Sequence, residues 1–257
     1  MKIVRYKDSK LNKLNYGILK NDLVHPLIGT PFDNSMKYDT SRDPLHYEES
    51  ILAAPCEPTK VIALAINYQG ATGQTSDMSE PLVFLKSSNT VVDVNHAVEL
   101  PFKSNTWGES ELGVVIRKRV KKIVEAEVRD YILGYVPAND VSCDNVDSRD
   151  HHLARSKSAD GFCPLGHYID TDYDFRNKTI LAYHNEILLR QGNTDAMIWN
   201  PEKIVAWLSN WMTLYPGDVV ITGAPSRVRD RLFLHDGDTY TVAIEGFPKM
   251  VTTFYAK

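Results

Sequence analysis

The sequence predicts an α+β, strand-rich fold, on three observations. Short apolar runs with period-two alternation recur along the whole chain. Helical periodicity is clear in one stretch, after Asn200, and weaker in a second at 125–132. Few helices separate the strands, which argues against a doubly wound parallel sheet.

Taken in order, residues 2–6 alternate apolar and polar as a strand does. The runs 16–19 and 23–27 flank Lys20-Asn21-Asp22 and read as a hairpin, because Asn and Asp tolerate the turn backbone. The polar, turn-rich stretch 29–47 links a small N-terminal β domain, residues 1–55, to a main domain, 56–257. There, Pro55 to Pro58 leads rigidly into a buried strand at 60–66. Residues 67–80 are polar, contain glycine and lack periodicity, as a mobile loop over a site would. Strands follow at 82–86 and 111–116, with an apolar run at 131–136. Asn200 caps a helix that has Pro201 at its first position. Ile204, Val205, Leu208, Trp211 and Met212 form its apolar face. Pro216-Gly217-Asp218 and Asp236-Gly237-Asp238 turn into strands at 219–222 and 239–245.

The 257 residues are 43% hydrophobic and 24% charged, enough for a sizeable core. A net charge of −4 excludes a broadly basic nucleic-acid surface. The basic cluster 117–122 is interrupted by Val120 and reads as a solvated loop. No apolar run approaches the ~18 residues of a membrane helix, and the N-terminus lacks a signal-peptide core. Three scattered cysteines, with no Cys-x-x-Cys, suit neither a zinc site nor a disulfide framework and point to the cytoplasm.

The chemistry centres on carboxylates. In Glu109-Ser110-Glu111 both glutamates point to one face if the strand includes them, with Cα atoms ~6.5 Å apart. Two carboxylates that close repel unless a cation or proton lies between them. An oxygen-only site suits Mg²⁺, Mn²⁺ or Ca²⁺; the plainer reading is an exposed pair on an edge strand. Asp140 follows the 131–136 run, as a ligand or an ordinary Asx turn. Lys157, near such a site, would orient a carboxylate or stabilise an enolate; otherwise it is a surface lysine.

The ordered set of these motifs resembles the fumarylacetoacetate hydrolase family. It comprises Pro81-Leu82-Val83-Phe84-Leu85-Lys86, Glu109-x-Glu111, Gly134 to Ser142, Arg155-Ser156-Lys157-Ser158, Phe162 to Gly166, Gly192-Asn193-Thr194, Met212 to Val219, and Thr222-Gly223. The resemblance implies a mixed β-sheet roll, usually a homodimer. It implies Mg²⁺ or Mn²⁺ held by Glu109, Glu111 and Asp140, with Lys157 as a catalytic group. It implies a small 2-oxo or diketo acid substrate, while the charge and the apolar runs noted above lead to the expectation of no nucleic-acid or membrane partner. Asn193, Thr194 and Thr222 fall at expected substrate positions.

The departures are specific. Hydrolytic members carry His-x-x-Glu after an Asn-Tyr dipeptide to activate water. Here Asn67-Tyr68 is followed by Ala71 and Gln74 at those positions, and neither is a base. His152, His167, Arg190, Ala224 and Arg227 also depart from common family residues. His152 is a candidate proton donor, and Arg190 and Arg227 are candidates for a second carboxylate. A tautomerase, isomerase or decarboxylase needs the metal and enolate but no activated water. The alternatives are a C–C hydrolase with a base from elsewhere, such as His152, or a non-catalytic binding protein.

Overall fold

The computed structural model describes residues 1–8, 12–32, 36–48, 51–71 and 79–257. Gln74, and with it half of the 67–80 loop, residues 72–78, lies outside the described residues.

Lys2–Asp8, Lys13–Lys20 and Leu23–Ile28 form an antiparallel meander. Asn21 and Asp22 have φ of 50° and 57°, the paired positive values of a tight hairpin turn. The 29–47 stretch contributes two short strands, Lys37–Tyr38 and Leu45–His46, that pair with Leu23–Ile28. Lys2 and Ile3 then pair with Asp170 and Ile169, so the meander extends the main sheet.

That sheet continues through Ile132–Asn139, Ser110–Ile116, Val219–Ile221, Val61–Ala65 and Leu82–Lys86. Val61–Ala65 and Val219–Ile221 are parallel, whereas the other neighbours named here are antiparallel, giving a mixed sheet. A second sheet holds Val98–Glu99, Met250–Tyr255, Thr239–Ile244, Thr179–His184 and Ile187–Asn193. Thr239–Ile244 packs against Ser110–Ile116 and Ile132–Asn139. Strand alternation divides Ser110–Ile116 between two cores. Leu112, Val114 and Ile116 join Ile180, Val242 and Ile244. Val115 joins Val136, Ala138 and Leu165 on the other side. This fold is strand-rich α+β, as the sequence predicts.

Pro201–Trp211 is the longest helix among the described residues. Its Asn200 cap accepts a bond from the Lys203 N–H at 2.9 Å. Ile204, Val205 and Leu208 are fully buried, but Trp211, expected in the core, is 51% exposed. It lies in the last turn, where the chain leaves the helix extended at Met212, and it packs edge-on against Trp207 at 5.5 Å. Removing the cap in Asn200→Ala is expected to cost about 1 kcal/mol in urea unfolding. The 125–132 candidate is a 3-10 helix, Glu125–Tyr131. Cys56, Cys143 and Cys163 are buried free thiols. Among the described residues no helix is long and apolar enough to cross a membrane.

Candidate metal centre

Antiparallel pairing assembles the carboxylates. Ser110 pairs with Asn139 and Glu111 with Ala138. One step beyond, the Asp140 N–H donates to the Glu109 carbonyl at 2.9 Å. Asn139 secures this end, accepting from the Glu109 N–H at 3.1 Å and donating to Thr252 Oγ1 at 3.3 Å. Period-two alternation sends Ser110 the other way, where its hydroxyl donates to the Leu181 carbonyl. Glu109, Glu111 and Asp140 thus bring one oxygen each within 4.8 Å of one another.

Each carboxylate has a different environment. Glu109 is paired with Arg190 on Ile187–Asn193. Asp140 takes two lysines: Lys86 Nζ on Oδ1 at 2.5 Å and Lys157 Nζ on Oδ2 at 2.7 Å. Burial alone would raise the Asp140 pKa, but Lys157 and Lys86 hold it below the usual value. Glu111 has no such cation. Its Oε2 accepts from the Gly223 N–H at 2.6 Å, while its buried Oε1 has no hydrogen-bond partner among the described residues. Burial, then Asp140 and Glu109, push its pKa well up. Gly223 is suited to this approach by its φ of +82°, and a Cβ there would meet the Asn67 Cβ at 3.0 Å.

A buried carboxylate oxygen with no partner among the described residues, beside two further carboxylates, is satisfied by a cation or a proton. The all-oxygen donor set fits a hard divalent ion.

Lys157 sits on the one-turn helix Ala154–Ser158. Asp150 fixes that turn by accepting from the N–H groups of Arg155 and Ser156, at 3.1 and 2.6 Å. Lys157 also donates to Ser142 Oγ at 2.5 Å and lies 4.3 Å over the Phe84 ring. Burial opposes its charge, but Asp140, then Glu109 and Glu111, raise its pKa above the usual lysine value.

A cavity of about 270 Å³ opens onto Glu109, Asp140 and Lys157, with Phe84, Ala71 and Arg190 in its wall. A larger cavity, about 800 Å³, lies by Arg5, Lys7, Glu57 and Asp93. It contains none of the three clustered carboxylates, so the smaller one is the candidate site.

Other expected site residues stand as follows. Arg190 lines the cavity, but its guanidinium is engaged by Glu109 and by the Pro225 carbonyl, which accepts at 2.6 Å. Arg227 lines the cavity. Asn193 caps a turn by accepting from the Asp195 N–H at 2.9 Å, and donates to Asn177. Thr194 Oγ1 accepts from the Lys178 N–H at 2.8 Å. Thr222 Oγ1 donates to the Leu112 carbonyl at 2.9 Å. These three side chains hold the fold and are not in the cavity wall. His152 is exposed in the turn before Ala154–Ser158, also outside the wall. With the Asp150 carboxylate bonded to that turn, the chain at 151–153 lies on the outside. His167 is buried elsewhere.

Sequence reasoning gave no role to Lys86 or Asp150, and passed over Trp107 and Arg231, which also line the cavity. Lys86 ends a strand as an ordinary surface lysine would. Arg231 lies in a stretch without periodicity.

A family model, Fumarylacetoacetate (FAA) hydrolase C-terminal, matches residues 60–255. The chain belongs to the fumarylacetoacetate hydrolase family. Human oxaloacetate tautomerase FAHD2A, mitochondrial, is 33% identical over 216 residues, 77% of this chain and 67% of that protein. The 2,4-didehydro-3-deoxy-L-rhamnonate hydrolase of Sphingomonas sp. (strain SKA58) is 33% identical over 199 residues, 72% of this chain and 70% of that one. The crystal structure of 5-carboxymethyl-2-hydroxymuconate delta-isomerase from Mycobacterium smegmatis matches with a TM-score of 0.88 at 29% identity, over 100% of both chains. Fumarylacetoacetate hydrolase relatives therefore include tautomerases, isomerases and hydrolases, and the reaction must be read from the residues themselves.

Proposed function

We propose that the protein is a divalent-metal-dependent tautomerase or isomerase of a small 2-oxo acid, acting through an enolate. The observation that carries this is the partnerless Glu111 oxygen within the carboxylate cluster, beside a charged lysine. Glu109, Glu111 and Asp140 would hold Mg²⁺ or Mn²⁺, which supplies positive charge that lowers the energy of an enolate. Lys157, protonated and lining the cavity, adds a donor to the substrate's carboxylate or developing enolate oxygen. Phe84 and Ser142 fix its ammonium on one side. Tautomerisation is favoured over hydrolysis by Ala71: its position faces the cavity, and a methyl group cannot take a proton from water.

The test is enol–keto interconversion of oxaloacetate, followed by ultraviolet absorption with Mg²⁺ or Mn²⁺ and after chelation. Lys157→Met is expected to lower kcat about 100-fold, the scale of losing one charge-stabilising donor, while calorimetry still detects Mn²⁺ binding. No pyruvate release from acylpyruvates is expected. Turnover that survives both chelation and Lys157→Met would overturn the proposal. Mn²⁺ binding with no turnover across a 2-oxo acid panel would point to a ligand-binding role instead.

A further inference from the structure

Among the described residues, the cavity wall carries four cations, Lys157, Arg190, Arg227 and Arg231, against two carboxylates, Glu109 and Asp140. Lys157 and Arg190 are already paired with those carboxylates. Among the described residues, neither Arg227 nor Arg231 has a carboxylate partner.

Arg231 is nevertheless held in place. Its guanidinium lies 3.7 Å over the Trp107 ring, which packs edge-on against Phe233 at 6.5 Å. The loop that carries it is pinned on both sides. The Val228 N–H donates to the Leu189 carbonyl at 2.8 Å, and the Leu234 N–H to the Thr106 carbonyl at 2.7 Å. Ser226 Oγ adds a bond to the Gly70 carbonyl at 3.1 Å. Arg231 Nε and Trp107 Nε1 are buried donors without acceptors among the described residues. Burial, and then the charge of Arg227, hold the Arg231 pKa below the usual arginine value. Among the described residues, the positive charge on this braced side chain is therefore unbalanced, at a conformational cost already met by the fold.

We propose that Arg231, braced by Trp107 and assisted by Arg227, is the specificity-determining subsite for a second carboxylate on the substrate. The inference rests on the 2-oxo acid reading for the reacting end of the ligand and concerns its other end. A stacked guanidinium presents a planar fork that matches a carboxylate in a bidentate pair. Pockets for drug-sized ligands run to roughly 300–1,000 Å³, so a cavity of about 270 Å³ suits a small diacid. A monoacid would engage the metal and Lys157 yet leave both arginines uncompensated.

The experiment uses matched four- and five-carbon 2-oxo acids that differ only in a terminal carboxylate or methyl group. Calorimetry with Mn²⁺-loaded protein gives the affinity ratio within each pair, for the wild type, Arg231→Met, Arg231→Lys and Trp107→Phe. The wild type is expected to favour at least one diacid by about 30-fold or more. Arg231→Met is expected to reduce that ratio to within about threefold, while Mn²⁺ affinity stays within about twofold. Arg231→Lys should fall between them, because it keeps the charge and loses the fork. Trp107→Phe should retain part of the preference. Equal binding within both pairs, no binding of any acid, or a preference that survives Arg231→Met overturns the inference. Acid binding that is indifferent to Mn²⁺ would instead overturn the metal reading, and the diacid ratio would still decide the role of Arg231.

Discussion

Glu111→Gln is expected to lower Mn²⁺ affinity at least about 100-fold and to make the metal-free protein more stable. Both effects have one cause. The substitution keeps the shape of the side chain and removes a negative charge that burial and its neighbours disfavour, in a cluster whose oxygens lie within 4.8 Å. The gain in metal-free stability therefore grows as pH rises through the raised Glu111 pKa. The Glu111 carboxylate has one oxygen satisfied by Gly223 and one with no partner among the described residues. An amide can keep the first bond and donate to Glu109 or Asp140 with its nitrogen. Relief of one unsatisfied buried charge is expected to add about 1–3 kcal/mol to metal-free stability. A cation, by contrast, loses an anionic ligand and binds poorly. Calorimetry measures the first effect and urea unfolding in chelator measures the second. A variant that binds Mn²⁺ like the wild type would remove Glu111 from the ligand set.

Lys86→Met should act in the opposite direction on stability. Lys86 is completely buried and ends on Asp140 Oδ1 and the Val141 carbonyl, at 2.5 and 2.9 Å. Methionine fills much the same space but donates nothing. Asp140 would keep only Lys157, and the Val141 carbonyl would lose its ammonium donor. Breaking one side of a buried ion pair typically costs about 3–5 kcal/mol. Urea unfolding in chelator is expected to show a loss on that scale, partly recovered on adding Mn²⁺ as the cation offsets the exposed charge. A loss below about 1 kcal/mol would mean that Lys86 is not needed to hold Asp140 charged.

How much of this was legible in the sequence depended on whether a residue's role is local. The hairpin at Asn21-Asp22 and the cap at Asn200 are local features, and their chemistry specifies them. Glu109 and Glu111 were legible because a strand's period of two places them together. Asp140 needed the family resemblance, since its partner strand is thirty residues distant in the chain and pairing register is not written locally. The strands Thr179–His184, Ile187–Asn193 and Met250–Tyr255 were passed over. Their runs contain histidine, asparagine, arginine or threonine that only the tertiary context buries or pairs. For Arg190 the sequence leaves a substrate clamp and a salt bridge equally open, because only the fold locates its carboxylate, Glu109. Arg231 gave no signal at all: its platform, Trp107, lies more than a hundred residues earlier.

The placement of these groups also bears on how such a protein can diverge. Glu109, Glu111 and Asp140 belong to two adjacent antiparallel strands and share their register. Arg227 and Arg231 belong to an irregular loop that leaves a different strand, Val219–Ile221. That loop is bonded to the carboxylate cluster at its start, through Gly223 on Glu111 and through the Pro225 carbonyl on Arg190, the partner of Glu109. On the proposed reading, inherited variation confined to Arg227 and Arg231 would change which acid is preferred, whereas variation at Gly223 or Pro225 would disturb the reacting end as well.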